Sequence, residues 1–342
     1  MSPVALTSRL RLPEVVLVLA VVSACLALAC GAPADTARPT IRMVFAAAVN
    51  PGDLTVLMAN RAMRAKGYAV EEAFFANSEL AAAALARGDV EIAVGGMSPF
   101  WAANLKGADL RAVVGRSDNG YQLLARAGVA TCTDLHGRPV AVSTKGALPT
   151  ALINAYLTHC PGTTPQQMSI PNSTDRLSAL ATGRVDAALL QRVDVWHLQR
   201  RAPGTFSVVT DYNAKTPPLP FIAVLARASY LAAERATVVA WIGEKLRADR
   251  RALVDPQALL DEARHWPELE ASELELLRAE SAAHAWHPNG ALTAANILDT
   301  YRFFVDRGIL GDGLAPSSLA DLSLLEEALS SVGGPVPVDA PQ

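Results

Sequence analysis

Residues 84–94 read ALARGDVEIAV and residues 179–189 read ALATGRVDAAL, the second following the first at an offset of 95. On that offset Gly88 meets Gly183, Leu85 meets Leu180, Val90 meets Val185, Glu91 meets Asp186 and Val94 meets Leu189. Each copy describes the same physical unit. A helix buries Leu and Ala, a glycine stops it in a left-handed conformation that glycine alone adopts without strain, and an apolar strand then enters a sheet. A chain that writes this unit twice is expected to contain two similar α/β halves. Glu91 and Asp186 are expected to support that packing unit.

The surrounding sequence alternates strand and helix in the same way. IRMVFAAA (41–48) is a short apolar run before the turn signal Asn50-Pro51-Gly52, and LTVLMANRAMRAKG follows at helical spacing with Gly67 as a stop. Strands are expected at 70–76, 92–96 and 111–117, with Asn77 or Ser78 capping the intervening helix. This is a βαβαβ pattern on a parallel sheet. It restarts in the second half, with a strand over 134–143, the helix ALPTALINAYLTH, a strand MSIP, the helix STDRLSALATG, and the strands VDAALLQ and FSVVTD. Two extended segments, 118–127 and 219–228, bracket this second half and are expected to cross between the lobes, with bending near 120–126 and 220–226. From about residue 229 the chain is mostly helical and is expected to pack on the first lobe. The expected organisation is therefore 41–122 and 224–342 as lobe 1 and 123–223 as lobe 2.

The N-terminus carries a different signal. Residues 15–29, VVLVLAVVSACLALA, form an apolar run behind Arg9 and Arg11, too short to span a membrane and ending in small residues. That is the pattern of an export signal. Its end resembles the lipobox of bacterial lipoproteins. Cys30, followed by Gly31 and a polar, Pro-bearing stretch, is favoured as the lipidated residue over Cys25. Signal residues 1–30 and a tether over 31–40 are expected, with an ordinary cleaved signal as the alternative. Either way the folded body lies outside the cytoplasm, in the periplasm or on the outer membrane surface. Lipid on that cysteine would anchor it. Net charge is −3 and the Lys and Arg residues are scattered, so no electrostatic footprint for nucleic acid exists.

Beyond the signal only Cys132 and Cys160 remain, 28 residues apart. In an oxidising compartment they are a candidate disulfide, which would contribute about 3 kcal/mol in the chain-entropy model. Two separate buried thiols are the alternative. Neither Cys-x-x-Cys nor Cys/His ligand spacing occurs, and His284 and His287 lack further ligands, so no metal and no cofactor is expected.

The order export signal, lobe, crossover, lobe, crossover, helical tail resembles the type II solute-binding proteins of ABC importers. The phrases ALARGDVEIAVGG, DLHGRPVAVSTKGA, ALATGRVDAALLQ and FFVDRGIL are similar to those of the nitrate/sulfonate/taurine and thiamine-pyrimidine binding group. The resemblance implies an α/β, two-lobe type II periplasmic-binding-protein fold with two crossover strands and a helical tail on lobe 1. It implies capture of a small polar or anionic molecule (a sulfonate, nitrate, pyrimidine or relative) by a monomer that delivers it to permease subunits. The alternatives are a sensory or scaffold lipoprotein without an importer and an enzyme like the thiamine-pyrimidine synthases. The latter carry a cysteine-rich stretch that this chain lacks. G-x-S-x-G, H-E-x-x-H and G-x-x-x-x-G-K-[ST] are absent, so an enzyme is not expected.

Ligands in open α/β sheets sit beyond the carboxyl ends of the strands, where helix N-termini offer N–H groups. That rule selects Asn50, with Val49 and Gly52, after the first strand, and Met97 and Ser98, with Trp101 behind, after the third. In the second half it selects Ser143, Thr144, Lys145 and Gly146 at a helix head, where hydroxyls and an ammonium suit an anion, with plain capping by Ser143 or Thr144 as the alternative. Asn172 and Ser173 follow the next strand, as ligand contacts or caps, and Gln191 the one after. Asn119 and Tyr121 lie on the first crossover, where the resemblance places an aromatic; Tyr121 serves either ligand stacking or packing. Phe100, Trp101 and Tyr121 are equally suited to a flat ring.

Overall fold

The apolar run at 41–45 becomes an interior strand of a sheet, flanked on both edges by parallel neighbours and almost wholly buried. The computed structural model describes residues 39–116, 120–212, 219–269, 276 and 286–337. The export signal, Cys25, Cys30, most of the tether, Asn119 and His284 lie outside the described residues. Thr40–Gln342 form one compact unit.

Its first half comprises β1 (Ile41–Phe45), α1 (Leu54–Ala65), β2 (Val70–Phe74), α2 (Ser78–Arg87), β3 (Ile92–Gly96), α3 (Met97–Asn104) and β4 (Leu110–Gly115). The second half comprises β5 (Tyr121–Arg126), β6 (Pro139–Val142), α4 (Leu148–Leu157), β7 (Gln166–Ser169), α5 (Ser173–Ala181), β8 (Ala187–Gln191), α6 (Arg192–Arg201) and β9 (Phe206–Asp211). The chain then makes β10 (Ile222–Arg227) and the helices α7 (Ala228–Ala233), α8 (Arg235–Val254), α9 (Pro256–Ala263), α10 (Ala294–Asp306) and α11 (Ser323–Ser331).

Two five-stranded sheets result, ordered β2-β1-β3-β10-β4 and β7-β6-β8-β5-β9. The parallel cores are as expected: β1 runs parallel to β2 and β3, and β6 to β7 and β8. Neither sheet is wholly parallel, however. β10 enters antiparallel between β3 and β4, and β5 enters antiparallel between β8 and β9. The two segments expected as crossovers are thus full sheet members, one donated to each lobe as the chain passes. The switch points accordingly fall earlier than the boundaries at 122 and 223. Tyr121 and Gln122 already pair with Gln191 and Leu190, and Ile222 and Ala223 already pair with Gly96 and Gly95. Bending within 121–125 or 222–226, where hinges were expected, would break these ladders.

The 95-residue repeat acquires a structural meaning. Gly88 and Gly183 have φ of +89° and +76° after α2 and α5. In each lobe the last residue of the donated strand closes the helix end. Arg227 Nη1 donates to Leu85 O and Val90 O at 2.8 and 2.7 Å, and Arg126 Nη1 donates to Leu180 O and Ala181 O at 3.1 and 3.4 Å. The matched acids pair with arginines at the starts of β1 and β6: Arg42 Nε donates to Glu91 at 3.0 Å and Arg138 Nη1 to Asp186 at 3.4 Å.

The main core runs through both lobes, and a second cluster packs the other face of the second sheet. Leu123 and Leu189 point into the first, Leu124 and Leu190 into the second, as the two-residue period of a strand requires. The helical tail covers the first sheet. Trp101 Nε1 donates to Leu319 O at 3.2 Å and Gly115 N to Gly290 O at 2.8 Å. Trp241 Nε1 donates to Asn60 Oδ1 at 2.7 Å, joining α8 to α1. The strand expected over 134–143 is shorter: a 3-10 turn, Thr133–Leu135, precedes β6, with Gly137 at φ +69° between them. Cys132 and Cys160 are joined, with Cα atoms 6.2 Å apart, and tie this turn to the end of α4.

Candidate functional site

Between the sheets lies a cavity of about 480 Å³, lined from both lobes. Its walls are built where strands end and helices begin. In lobe 1, Asn50 caps a 3-10 turn leading into α1: its Oδ1 accepts from Gly52 N at 3.1 Å, and Asp53 accepts from Asn50 N at 3.2 Å and Asn50 Nδ2 at 2.8 Å. Pro51 fixes the first position of that turn, where an N–H would have no partner. Arg116, directly after β4, donates from Nε to Asp53 Oδ1 at 2.6 Å and from Nη2 to Asn50 Oδ1. Burial raises Asp53 above the usual carboxylate range, and the Arg116 guanidinium opposes that rise. Behind Arg116, the buried Lys245 Nζ donates to Arg116 O at 2.8 Å and pairs with Asp249 at 2.6 Å. The end of β4 is therefore held from the cavity side and from α8.

Lobe 2 offers the counterpart wall. Asn172 caps α5, accepting from Thr174 N at 2.8 Å, as Asn77 caps α2, accepting from Leu80 N at 2.9 Å. Ser173 Oγ accepts from Gln191 N at 3.5 Å, as Ser78 Oγ accepts from Gly96 N at 3.0 Å. These pairs keep the 95-residue offset, so the repeat extends into the cavity walls. Ser173 Oγ also donates to Asp194 on α6. Asp194 is 7% exposed, and burial raises it, opposed by the Ser173 hydrogen bond, Arg176 and His197. Arg176 is 1% exposed; its Nε donates to Leu189 O at 2.8 Å and its Nη1 to Ile170 O and Pro171 O at 2.9 and 2.8 Å. Tyr121 OH accepts from Gln191 Nε2 at 3.3 Å.

Of the residues expected from sequence, Val49, Asn50, Ser98, Tyr121, Ser143, Asn172, Ser173 and Gln191 line the cavity. Gly52, Met97, Thr144, Lys145 and Gly146 do not. Met97 is fully buried beneath it, with its N–H on Phe221 O at 2.9 Å, because the first residue of α3 turns into the core. Thr144, Lys145 and Gly146 lie in a turn before α4 and not at its head: Pro149 and the cap residue Ala147 set the helix start at Leu148. Lys145 is exposed, and Ser143 caps nothing, its Oγ donating to Pro171 O at 3.3 Å. Thr144 instead reaches across the cleft, its Oγ1 donating to Glu79 Oε1 on α2 at 2.7 Å. Trp101 and Phe100 are fully buried in the core, Trp101 edge-on to Tyr301, so neither serves a flat ring. The cavity also takes in Arg116, Arg176, Asp194 and His197, none of which the sequence reading selected. Among the described residues no group of side chains is arranged to hold a metal ion, and no helix is long and apolar enough to cross a membrane.

Two mixed sheets that exchange one strand each, with a cavity between their helix N-termini, define the periplasmic-binding-protein class of fold. Solved structures share it. The alkanesulfonate-binding protein SsuA from Xanthomonas axonopodis pv. citri, bound to MOPS, is 18% identical with a TM-score of 0.66, over 83% of this chain and 99% of that one. The periplasmic nitrate-binding protein NrtA from Synechocystis PCC 6803 is 12% identical with a TM-score of 0.72, over 87% of this chain and 90% of that one. The aliphatic sulphonate binding protein SsuA from Escherichia coli is 17% identical with a TM-score of 0.65, over 82% and 91%. No curated protein matches the chain in sequence. The chain belongs to the NMT1/THI5-like family, whose model matches residues 64–258, more than half of its length.

Proposed function

We propose that this protein is the extracytoplasmic solute-binding component of an ABC importer, trapping a small polar or anionic molecule between its lobes without transforming it. The observation that carries the reading is the cavity itself. Its polar groups come from both lobes, so a solute inside contacts all of them only when the lobes are closed. Such a solute favours the closed state by its differential contacts. The helix starts at Asn50, Asn77 and Asn172 surround it, and their positive dipole ends favour electron-rich groups. The family and the sulfonate- and nitrate-binding relatives of the same fold support the reading.

The test is a thermal-shift screen of nitrate, sulfonates, pyrimidines and neutral controls. A bound solute at 100 times its dissociation constant adds about 2.7 kcal/mol of stability. A screen in which no member of any class stabilises the protein contradicts the reading. Export and lipid anchoring through Cys30 are part of the same proposal. Replacing Cys30 by Ala is expected to move the protein from the detergent phase to the aqueous phase, and partitioning unchanged by that substitution but lost in Cys25→Ala would reassign the anchor.

A further inference from the structure

We propose that Arg176 is the residue that fixes the ligand's anionic group, acting with the Ser98 hydroxyl from the opposite lobe; this rests on the solute-binding reading above. A guanidinium carries five N–H donors. Arg176 commits three of them to the main-chain carbonyls of Leu189, Ile170 and Pro171. Its remaining nitrogen, Nη2, makes no hydrogen bond among the described residues, although the side chain is almost wholly buried and lines the cavity.

Arg126, Arg227 and Arg250 also donate to main-chain carbonyls, but all three are half-buried, so their remaining donors reach water. Arg176 has no such outlet. It also has no acid hydrogen-bonded to it: the nearby Asp194 accepts instead from Ser173 Oγ. A buried guanidinium bound only to neutral carbonyls, with donors facing a cavity, is incomplete without an anionic acceptor. Arg116, in contrast, is already paired with Asp53.

Ser98 supplies the independent observation. Its Oγ is buried, lines the cavity, and has no hydrogen-bond partner among the described residues. It stands at the start of α3 in lobe 1, while Arg176 belongs to lobe 2. An oxyanion held by both spans the cleft, and Arg176 then decides between an anion and its uncharged analogue.

The experiment is isothermal titration of the purified protein with nitrate, inorganic phosphate, MOPS and ethanesulfonate, with ethanesulfonamide as the uncharged counterpart of the last. The expected result is binding of at least one anion and rejection of the sulfonamide. Arg176→Met is expected to weaken that anion at least about 30-fold and Ser98→Ala about 2- to 10-fold. Arg176→Met removes three carbonyl contacts and is checked for folding by circular dichroism; Ser98→Ala and the sulfonamide comparison test the inference even if it unfolds. Anion binding that both variants leave unchanged, or equal binding of the sulfonamide, overturns the role of Arg176 while leaving solute binding intact. If no anion binds but a neutral solute from the thermal-shift screen does, the inference alone fails. If nothing binds in either experiment, the solute-binding reading fails with it.

Discussion

Asp194 sits close enough to Arg176 for its charge state to set the cavity's preference. Burial raises its carboxyl above the ordinary range, so it stays neutral to higher pH than an exposed aspartate. Arg176 and His197 face it, and Ser173 donates to it. As pH rises through the raised value, a negative charge appears beside Arg176, and affinity for an anionic solute is expected to fall. Asp194→Asn is expected to flatten that profile; a decline of equal size in the variant would show that Asp194 does not set it. The same shift carries a stability consequence. Between the ordinary carboxylate value and the raised one the folded state binds more protons than the unfolded state, so this group's contribution to stability falls as pH rises through that window. Asp53 and Arg116 illustrate a different balance. Both side chains are under a tenth exposed, and Arg116→Ala leaves a buried carboxylate with no cation. The expected loss is about 3–5 kcal/mol in urea denaturation, and a much smaller loss in the double variant Asp53→Asn/Arg116→Met. Arg116 and Arg176 were not legible in the sequence because Arg116 ends an apolar strand and Arg176 stands in the polar first turn STDR of a helix, both ordinary places for a surface arginine. Their burial is decided by neighbours far along the chain.

At the scale of elements, the repeat made much of the fold readable. Glycine stops, Asn caps and apolar strands are local signals, and they located α2, β3, α5 and β8 in both lobes. Gly88→Ala and Gly183→Ala are each expected to cost about 1 kcal/mol, since φ is near +80° at both and a Cβ is strained there; loss of less than a few tenths at either site would show that the helix ends relax freely. What the sequence does not reveal is strand exchange. β5 and β10 are short apolar runs with nothing in them to say which sheet they join or in which direction, because pairing partners lie roughly 65 to 130 residues away. The helix expected from Ala147 starts at Leu148, but residues 144–146 form a turn ahead of it and not a wall of the cavity. From that turn Thr144 reaches Glu79 across the cleft. Thr144→Val is expected to shift the ligand-free protein toward a more open form, read as a larger radius of gyration in solution scattering. An unchanged radius would mean that the bond does not contribute to closure.

For the whole molecule, each lobe owns half of one cavity and a strand drawn from the chain passing to or from the other. Opening and closing are then expected to leave both sheets intact. Val49, Asn50, Ser98, Ser143, Asn172, Ser173 and Gln191, chosen from strand ends, line the cavity because parallel neighbours bring their carboxyl ends to one edge of each sheet; the charged residues behind them needed the folded chain to be seen. The measurement that bears most directly on this account is solution scattering of the protein titrated with a solute that the thermal-shift screen has identified. The account predicts a saturable decrease in the radius of gyration that follows the binding isotherm. Saturation of the binding signal with an unchanged radius would contradict it.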